Sequence, residues 1–499
     1  MSTLFQEFKE YLQKIQRLDH VCELLTWDME TTVPKEGFAA HADCNAYFAT
    51  ESFKLSTSKE MKEYLDALQS EEEMSKLDDA WKFIIKKMAK DYDKNSRIPV
   101  DFFEAITRER SDSFEAWQEA KQKDDFSIFA PHLEKMIEMS KTLYGYTDPD
   151  KNVYDAMLDT YEEGMDAATI GRLFQELKEG ILPLLKKILS KEEPDTSKFQ
   201  RKYNVDAQRH VQKLLLDYIG FNWERGAIGE AEHPFTMSFN SKDVRVTNHY
   251  YEDHPISSMF SAIHEGGHAI FDQNVNPAFD NTVAASCDFM GIHESQSRFY
   301  ENILGRNIHF WMPIYEKVQE ILPELSDVTL EEFHREINHI KNSFIRTEAD
   351  EVTYCFHVIL RYEIEQALFR DNLPVSELPA LWNQKMEEYL QIVPETDRVG
   401  VLQDMHWSDG SFGYFPSYLL GSIYDGMLLE AIEADLGSVD ELLENNHIDQ
   451  ITKWLNEKIH IYGNTRLPKE TIREVCGREV TVEPLIKYFT EKYTKLYDL

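Results

Sequence analysis

The sequence predicts a mainly α-helical protein, and three observations carry that prediction. Apolar residues recur at helical spacing through most of the 499 residues, short turn clusters separate those stripes, and only one stretch alternates in the manner of strands. The first stripe sets the pattern: Phe5, Phe8, Leu12, Ile15, Leu18, Val21 and Leu25 share one face of a 3.6-residue period. Comparable stripes fall at residues 173–188, 299–308, 354–369 and 451–459. Asp148-Pro149-Asp150, Glu193-Pro194-Asp195 and Asp371-Asn372-Leu373-Pro374 punctuate the chain, and none is a long Gly/Ser/Pro linker between independent domains. A chain this long exceeds the size at which one simple core stops growing, so a large helical fold split by a deep substrate groove is expected. We read residues 1–499 as one unit, with two helical lobes flanking that groove.

The exception to the helical pattern lies at residues 235–247. Phe235-Thr236-Met237-Ser238-Phe239, then a polar turn at residues 240–243, then Val244-Arg245-Val246-Thr247 reads as a small β-hairpin. Two strands alone are marginal in water, so the hairpin must lean on helices or on further strands. Its edge offers backbone groups with which an extended peptide can pair.

Composition narrows the function. The chain carries 53 Lys and Arg against 90 Asp and Glu, a net charge of −37. Such an exterior repels phosphate backbones and anionic lipid, which argues against nucleic-acid and membrane partners. Cys22, Cys44, Cys287, Cys355 and Cys476 are scattered without a Cys-x-x-Cys pair. Charged residues interrupt the first eighteen positions, and no apolar run is long enough to span a bilayer. A cytoplasmic protein is expected.

The strongest motif is His264-Glu265-Gly266-Gly267-His268, immediately after the hairpin. On a helix, residues four apart share a face, so both imidazoles reach one cation while Glu265 stands one step around, where a general base would act on water. Two adjacent glycines inside a helix each cost about 1 kcal/mol relative to Ala, which implies that something packs closely on that backbone. A catalytic zinc site needs a third protein ligand and an open position. Glu294, in His293-Glu294-Ser295-Gln296 at the start of another helical stripe, completes a His2Glu set; Asp288 and Glu301 are the nearest alternatives. Asn274 occupies the position where a three-histidine site would place its third imidazole, and no Gly-x-Met-x-Asn segment of the aminopeptidase kind precedes the helix.

A peptide-cleaving site also needs groups to polarise and hold its substrate. Candidates are His233 before Pro234; Arg245, which shares a strand face with Asp243 and Thr247; Arg346, within a predicted helical stretch beside Glu348 and Asp350; and His406, which leads into a Gly- and aromatic-rich loop bearing Tyr414 and Tyr418. Each has an ordinary structural alternative, such as ion pairing for Arg346 or a packed helical face for Tyr414 and Tyr418.

Taken in order, His-Pro-Phe, Asp-x-Arg-x-Thr, His-Glu-x-x-His, His-Glu-Ser-Gln, Ile-Arg-x-x-Ala-Asp and Gly-x-x-Gln-Asp-x-His-Trp resemble the thermostable-carboxypeptidase-1, or Taq, family of metallocarboxypeptidases. The resemblance extends from the Trp27-Asp28 region to the Tyr418 loop. It implies a helical homodimer with a long groove that removes single C-terminal residues from peptides with broad specificity. It further implies one Zn2+ per subunit, with Co2+ or Mn2+ as substitutes, held by His264, His268 and Glu294. Glu265 is then the general acid/base, Arg346 a clamp for the terminal carboxylate, His233, His406 and Tyr418 donors to carbonyl or oxyanion, and Arg245 a residue that helps close the groove. Two other readings are a zinc oligopeptidase that cuts inside short peptides and a non-enzymatic helical scaffold.

Overall fold

The computed structural model describes residues 2–285 and 289–499, so Cys287 and the alternative ligand Asp288 lie outside the described residues. Among the described residues the chain forms twenty-two α-helices and one three-stranded sheet. Their buried apolar side chains make one contiguous cluster that runs from Phe5 to Tyr493. Among the described residues no helix is long and apolar enough to cross a membrane.

Helix Thr3–Thr31 follows the first stripe, with Ser2 accepting from Phe5 N–H at its start. Only Phe5, Phe8, Tyr11 and Leu12 of that helix are buried. Further along, Leu12, Ile15 and Asp19 line a cavity of about 690 Å³ that also touches Ser238, Phe239 and Asn240. The stripes at 173–188, 354–369 and 451–459 become Ala167–Leu189, Glu351–Phe369 and Ile448–Lys458. The stripe at 299–308 departs from a simple α-helix. Phe299–Leu304 winds as a π-helix, with Gly305 N–H bonding back five residues to the Tyr300 carbonyl, and the run breaks before Ile308–Trp311.

The predicted hairpin is present as β2 (Thr236–Asn240) and β3 (Asp243–Asn248), paired antiparallel with a register shift between Ser238 and Asn240. It gains the support it needs from β1 (Gly226–Glu230), which pairs in parallel with β3 to give the order β1-β3-β2. Sequence patterning passes over β1 because Gly226-Ala227-Ile228-Gly229-Glu230 has neither strict alternation nor branched residues in number. β2 is left at the sheet edge, against the helix that bears the metal-binding motif.

Two expectations require correction. Arg346 does not sit within a helix: Arg346–Glu348 is one 3-10 turn, and Asp350 caps the next helix by accepting from Val352 and Thr353 N–H. Nor is Tyr418 in a loop. Tyr414 is the N-cap residue of helix Phe415–Leu436, with Pro416 in its first turn, so the irregular segment ends before Phe415.

Candidate metal centre and active site

The motif helix, Pro255–Asn274, is buried on nearly every side. Its two glycines allow that burial. A Cβ on Gly266 would meet Ile219 Cδ1 at 2.5 Å and Leu216 Cδ2 at 2.8 Å. One on Gly267 would meet the backbone of a neighbouring helix, Ser297 Cα at 2.7 Å and the Gln296 carbonyl oxygen at 2.8 Å. That neighbour is Met290–Arg298, the helix that carries Glu294. A Cβ on Gly421, from Phe415–Leu436, would likewise meet that helix, with Ser295 N at 3.0 Å and the Glu294 carbonyl carbon at 3.2 Å. Small residues on two flanking helices therefore bring Glu294 to the histidines.

One nitrogen of each imidazole and one Glu294 oxygen lie within 4.8 Å of one another, a group able to hold a metal ion. Glu294 Oε2 is 3.5 Å from His268 Nε2 and 3.9 Å from His264 Nε2. Its other oxygen, Oε1, accepts from Arg298 Nε at 2.7 Å. Burial opposes the Glu294 charge, yet Arg298 and the two histidines hold its carboxyl below the usual carboxylate range. Two neutral-nitrogen donors and a carboxylate are the donor set that zinc favours.

Glu301, the alternative third ligand, takes a different place. It bonds His264 Nδ1 at 2.8 Å and so leaves Nε2 to face the centre. Burial works against charge on His264, but Glu301 and Glu294 raise its pKa to about 9. His268 behaves oppositely: burial, with His293 stacked at 4.3 Å, lowers it to about 3.

Glu265 is buried, and the Thr236 hydroxyl on β2 lies 2.6 Å from its Oε2. Burial pushes its carboxyl up, and the nearby Glu294 charge adds to that effect.

Arg346, 6 % exposed, is fixed on several sides. Its Nε donates to Asp404 Oδ1 at 3.1 Å, its Nη1 to Tyr354 OH at 3.0 Å, and its guanidinium lies 4.8 Å from the Tyr418 ring centre. Its ion-pair partner is thus Asp404, which Arg361 also binds, rather than Glu348 or Asp350. His406 Nε2 is 3.3 Å from Tyr418 OH, and Tyr414 stacks on His406 with ring centres 5.5 Å apart. Burial and the Arg346 charge lower His406 to about 3, so the ring is neutral at pH 7. This cluster adjoins the metal group through Tyr354, since the Arg298 guanidinium lies 3.8 Å from the Tyr354 ring centre.

Two predicted site residues make other contacts. His233 is exposed, and Arg245 is bound by Asp243 at 2.9 and 2.8 Å and packs on Phe239. No described hydrogen bond or ring contact joins either to the three donors. Sequence reasoning missed Thr236, Arg298, Tyr354 and Asp404. A signal existed for Arg298, four residues after Glu294 and hence one turn along the same face.

The whole chain also has known relatives. Residues 7–493 match the model of the carboxypeptidase Taq (M32) metallopeptidase family. The chain belongs to that family. Carboxypeptidase 1 of Bacillus subtilis (strain 168) is 41% identical, over 99% of both chains. Thermostable carboxypeptidase 1 of Pyrococcus furiosus is 34% identical over 99% of this chain and 100% of its own. The crystal structure of the M32 carboxypeptidase from Deinococcus radiodurans R1 superimposes with a TM-score of 0.96 at 30% identity, over 100% of each chain. As an M32 carboxypeptidase the protein is an enzyme that removes C-terminal residues, and the scaffold reading is set aside.

Proposed function

We propose that this M32 carboxypeptidase removes single C-terminal residues from peptides with broad specificity, using Glu265 as general acid/base beside a zinc ion held by His264, His268 and Glu294. The observation that carries the reading is the convergence of those three donors within 4.8 Å, with Glu265 on the same helix as the two histidines. Bound there, one Zn2+ per subunit, or Co2+ or Mn2+ in its place, supplies Lewis acidity and makes water acidic enough to react near neutral pH.

The side chains then divide the work. Glu265, oriented by Thr236, takes a proton from the attacking water and returns it to the leaving amine. Arg346, prepositioned by Asp404 and Tyr354, pairs with the terminal carboxylate of the substrate. His406 and Tyr418 donate hydrogen bonds to the carbonyl oxygen as negative charge develops on it, and Tyr414 packs against both. The unpaired edge of β2 runs beside Glu265 and offers backbone groups to the peptide. His233 is a further donor to the carbonyl or oxyanion, and Arg245 helps close the groove. The assembled enzyme is a cytoplasmic homodimer, each subunit with two helical lobes around its groove.

Two experiments test this. Glu265→Gln retains bound metal and loses at least about a hundredfold in turnover, the span of general acid/base catalysis; near-normal turnover overturns the role. Amidation of a peptide's C-terminus abolishes cleavage if Arg346 binds a carboxylate. Internal fragments from amidated peptides, read by mass spectrometry, would instead indicate an oligopeptidase.

A further inference from the structure

The helix that carries Glu294 starts at Met290, and its first N–H groups have no partner within the helix. One of them is satisfied from far away in sequence: Gly291 N–H donates to Glu162 Oε1 at 2.5 Å, in a fully buried setting. The other oxygen of Glu162 accepts from Tyr424 OH at 3.3 Å. Glu162 is 1 % exposed, and no cation pairs with it among the described residues. A Cβ on Gly291 would run into this carboxyl group, so the contact is specific to glycine there. Tyr424 belongs to Phe415–Leu436, the same helix whose Gly421 abuts the Glu294 backbone.

Around Glu162 the chain also touches the segment before Phe415–Leu436. The Tyr161 ring lies 5.0 Å from that of Tyr414, and a Cβ on Gly413 would meet the Met157–Leu158 backbone at 2.9 Å. The end of helix Val153–Tyr161 is thus wedged between the Glu294 helix and the segment that leads to Tyr414. A buried carboxyl without a cation is costly unless hydrogen bonds compensate. Here one of those bonds comes from the helix one turn before Glu294, and the other from Tyr424 on Phe415–Leu436.

We propose that Glu162 is a positioning residue for the metal centre: by holding Gly291 N–H it sets the placement of the Met290–Arg298 helix, and so the aim of Glu294 Oε2 at His264 and His268. The inference rests on the ligand assignment proposed above. What matters is the reach of the side chain and its acceptor oxygen. Aspartate keeps the carboxyl group but falls short by one methylene, whereas glutamine keeps the reach and the acceptor.

The test measures zinc affinity of the full-length protein by competition with a chromophoric chelator, for wild type, Glu162→Gln, Glu162→Asp and His268→Ala. Thermal melts of the metal-free proteins accompany it. Glu162→Asp is expected to bind zinc at least about tenfold more weakly, the cost typical of disturbed supports around a metal, while Glu162→Gln stays within about threefold of wild type. A merely structural role would lower the melting temperature of Glu162→Asp and leave the zinc affinity of the folded protein unchanged, which overturns the proposal. So does equal weakening in Glu162→Gln and Glu162→Asp. His268→Ala separates the two levels: undiminished zinc binding there refutes the ligand assignment itself, whereas loss in His268→Ala with full binding in Glu162→Asp refutes only the role of Glu162.

Discussion

At the scale of single residues, His264 is gripped at both ring nitrogens by one continuous helical run. Glu301 holds Nδ1 at 2.8 Å, and Glu294, seven residues earlier, faces Nε2 at 3.9 Å. Between the two carboxylates the run passes from α- to π-winding at Phe299. Arg306 supports the arrangement, with Nη2 3.6 Å from Glu301 Oε1. Glu301→Ala therefore frees the His264 ring to rotate and to take either tautomer. Metal affinity is expected to fall by about 10- to 100-fold, read by chelator competition, while Glu301→Gln, which can still accept from Nδ1–H, loses less. Among the described residues His268 Nδ1 is buried without a hydrogen-bond partner, and the ring stacks on His293.

At the scale of elements, the active site is a problem of helix separation. Three helices, Pro255–Asn274, Met290–Arg298 and Phe415–Leu436, must approach closely enough for short side chains to meet, and glycines set two of the contacts. The adjacent glycines of the motif are not equivalent. Gly266 faces the ends of Ile219 and Leu216, which can change rotamer, whereas Gly267 faces backbone, which cannot yield without moving a helix. Gly267→Ala is expected to cost about 1–3 kcal/mol, the usual range for overpacking, and to weaken metal binding as Glu294 is pushed away. Gly266→Ala is expected to be milder on both counts. Chemical denaturation of the metal-free proteins, with chelator competition alongside, checks the order. The close packing that the glycine pair implied is thus found, and its partners are a core helix on one side and the ligand helix on the other.

At the scale of the whole molecule, acidic excess makes the placement of cations matter. Asp159 gathers three lysines: Lys151 at 2.7 Å, Lys90 at 3.5 Å and Lys94 at 3.6 Å. Lys90 and Lys94 lie on helix Asp79–Asn95, so this cluster ties the amino-terminal helices to the segment that bears Glu162. Burial opposes the Asp159 charge, but Lys151, the Gly164 N–H and Lys90 bring its pKa down from 3.8 to about 2. A carboxyl depressed in the folded state contributes stability above its unfolded pKa and loses it as pH falls through the folded value. Asp159→Asn should therefore melt below wild type at pH 7. The gap should narrow under pH 3.8 and close near pH 2, as followed by thermal melts across that range.

Much of this protein is legible in one dimension because helical spacing is a local property. The mainly helical class, the hairpin at residues 235–247, the candidate set His264, Glu265 and His268, and the choice of Glu294 all follow from period, turn chemistry and ligand rules acting over a few residues. What tertiary structure alone decided is which distant groups meet. Glu301 came to bond His264 Nδ1, Asp404 displaced Glu348 and Asp350 as the partner of Arg346, Thr236 came to bond Glu265, and Glu162 reached Gly291 across 129 positions. Each of those contacts depends on how closely buried helices approach, and that distance is set by the whole core rather than by any local run of residues.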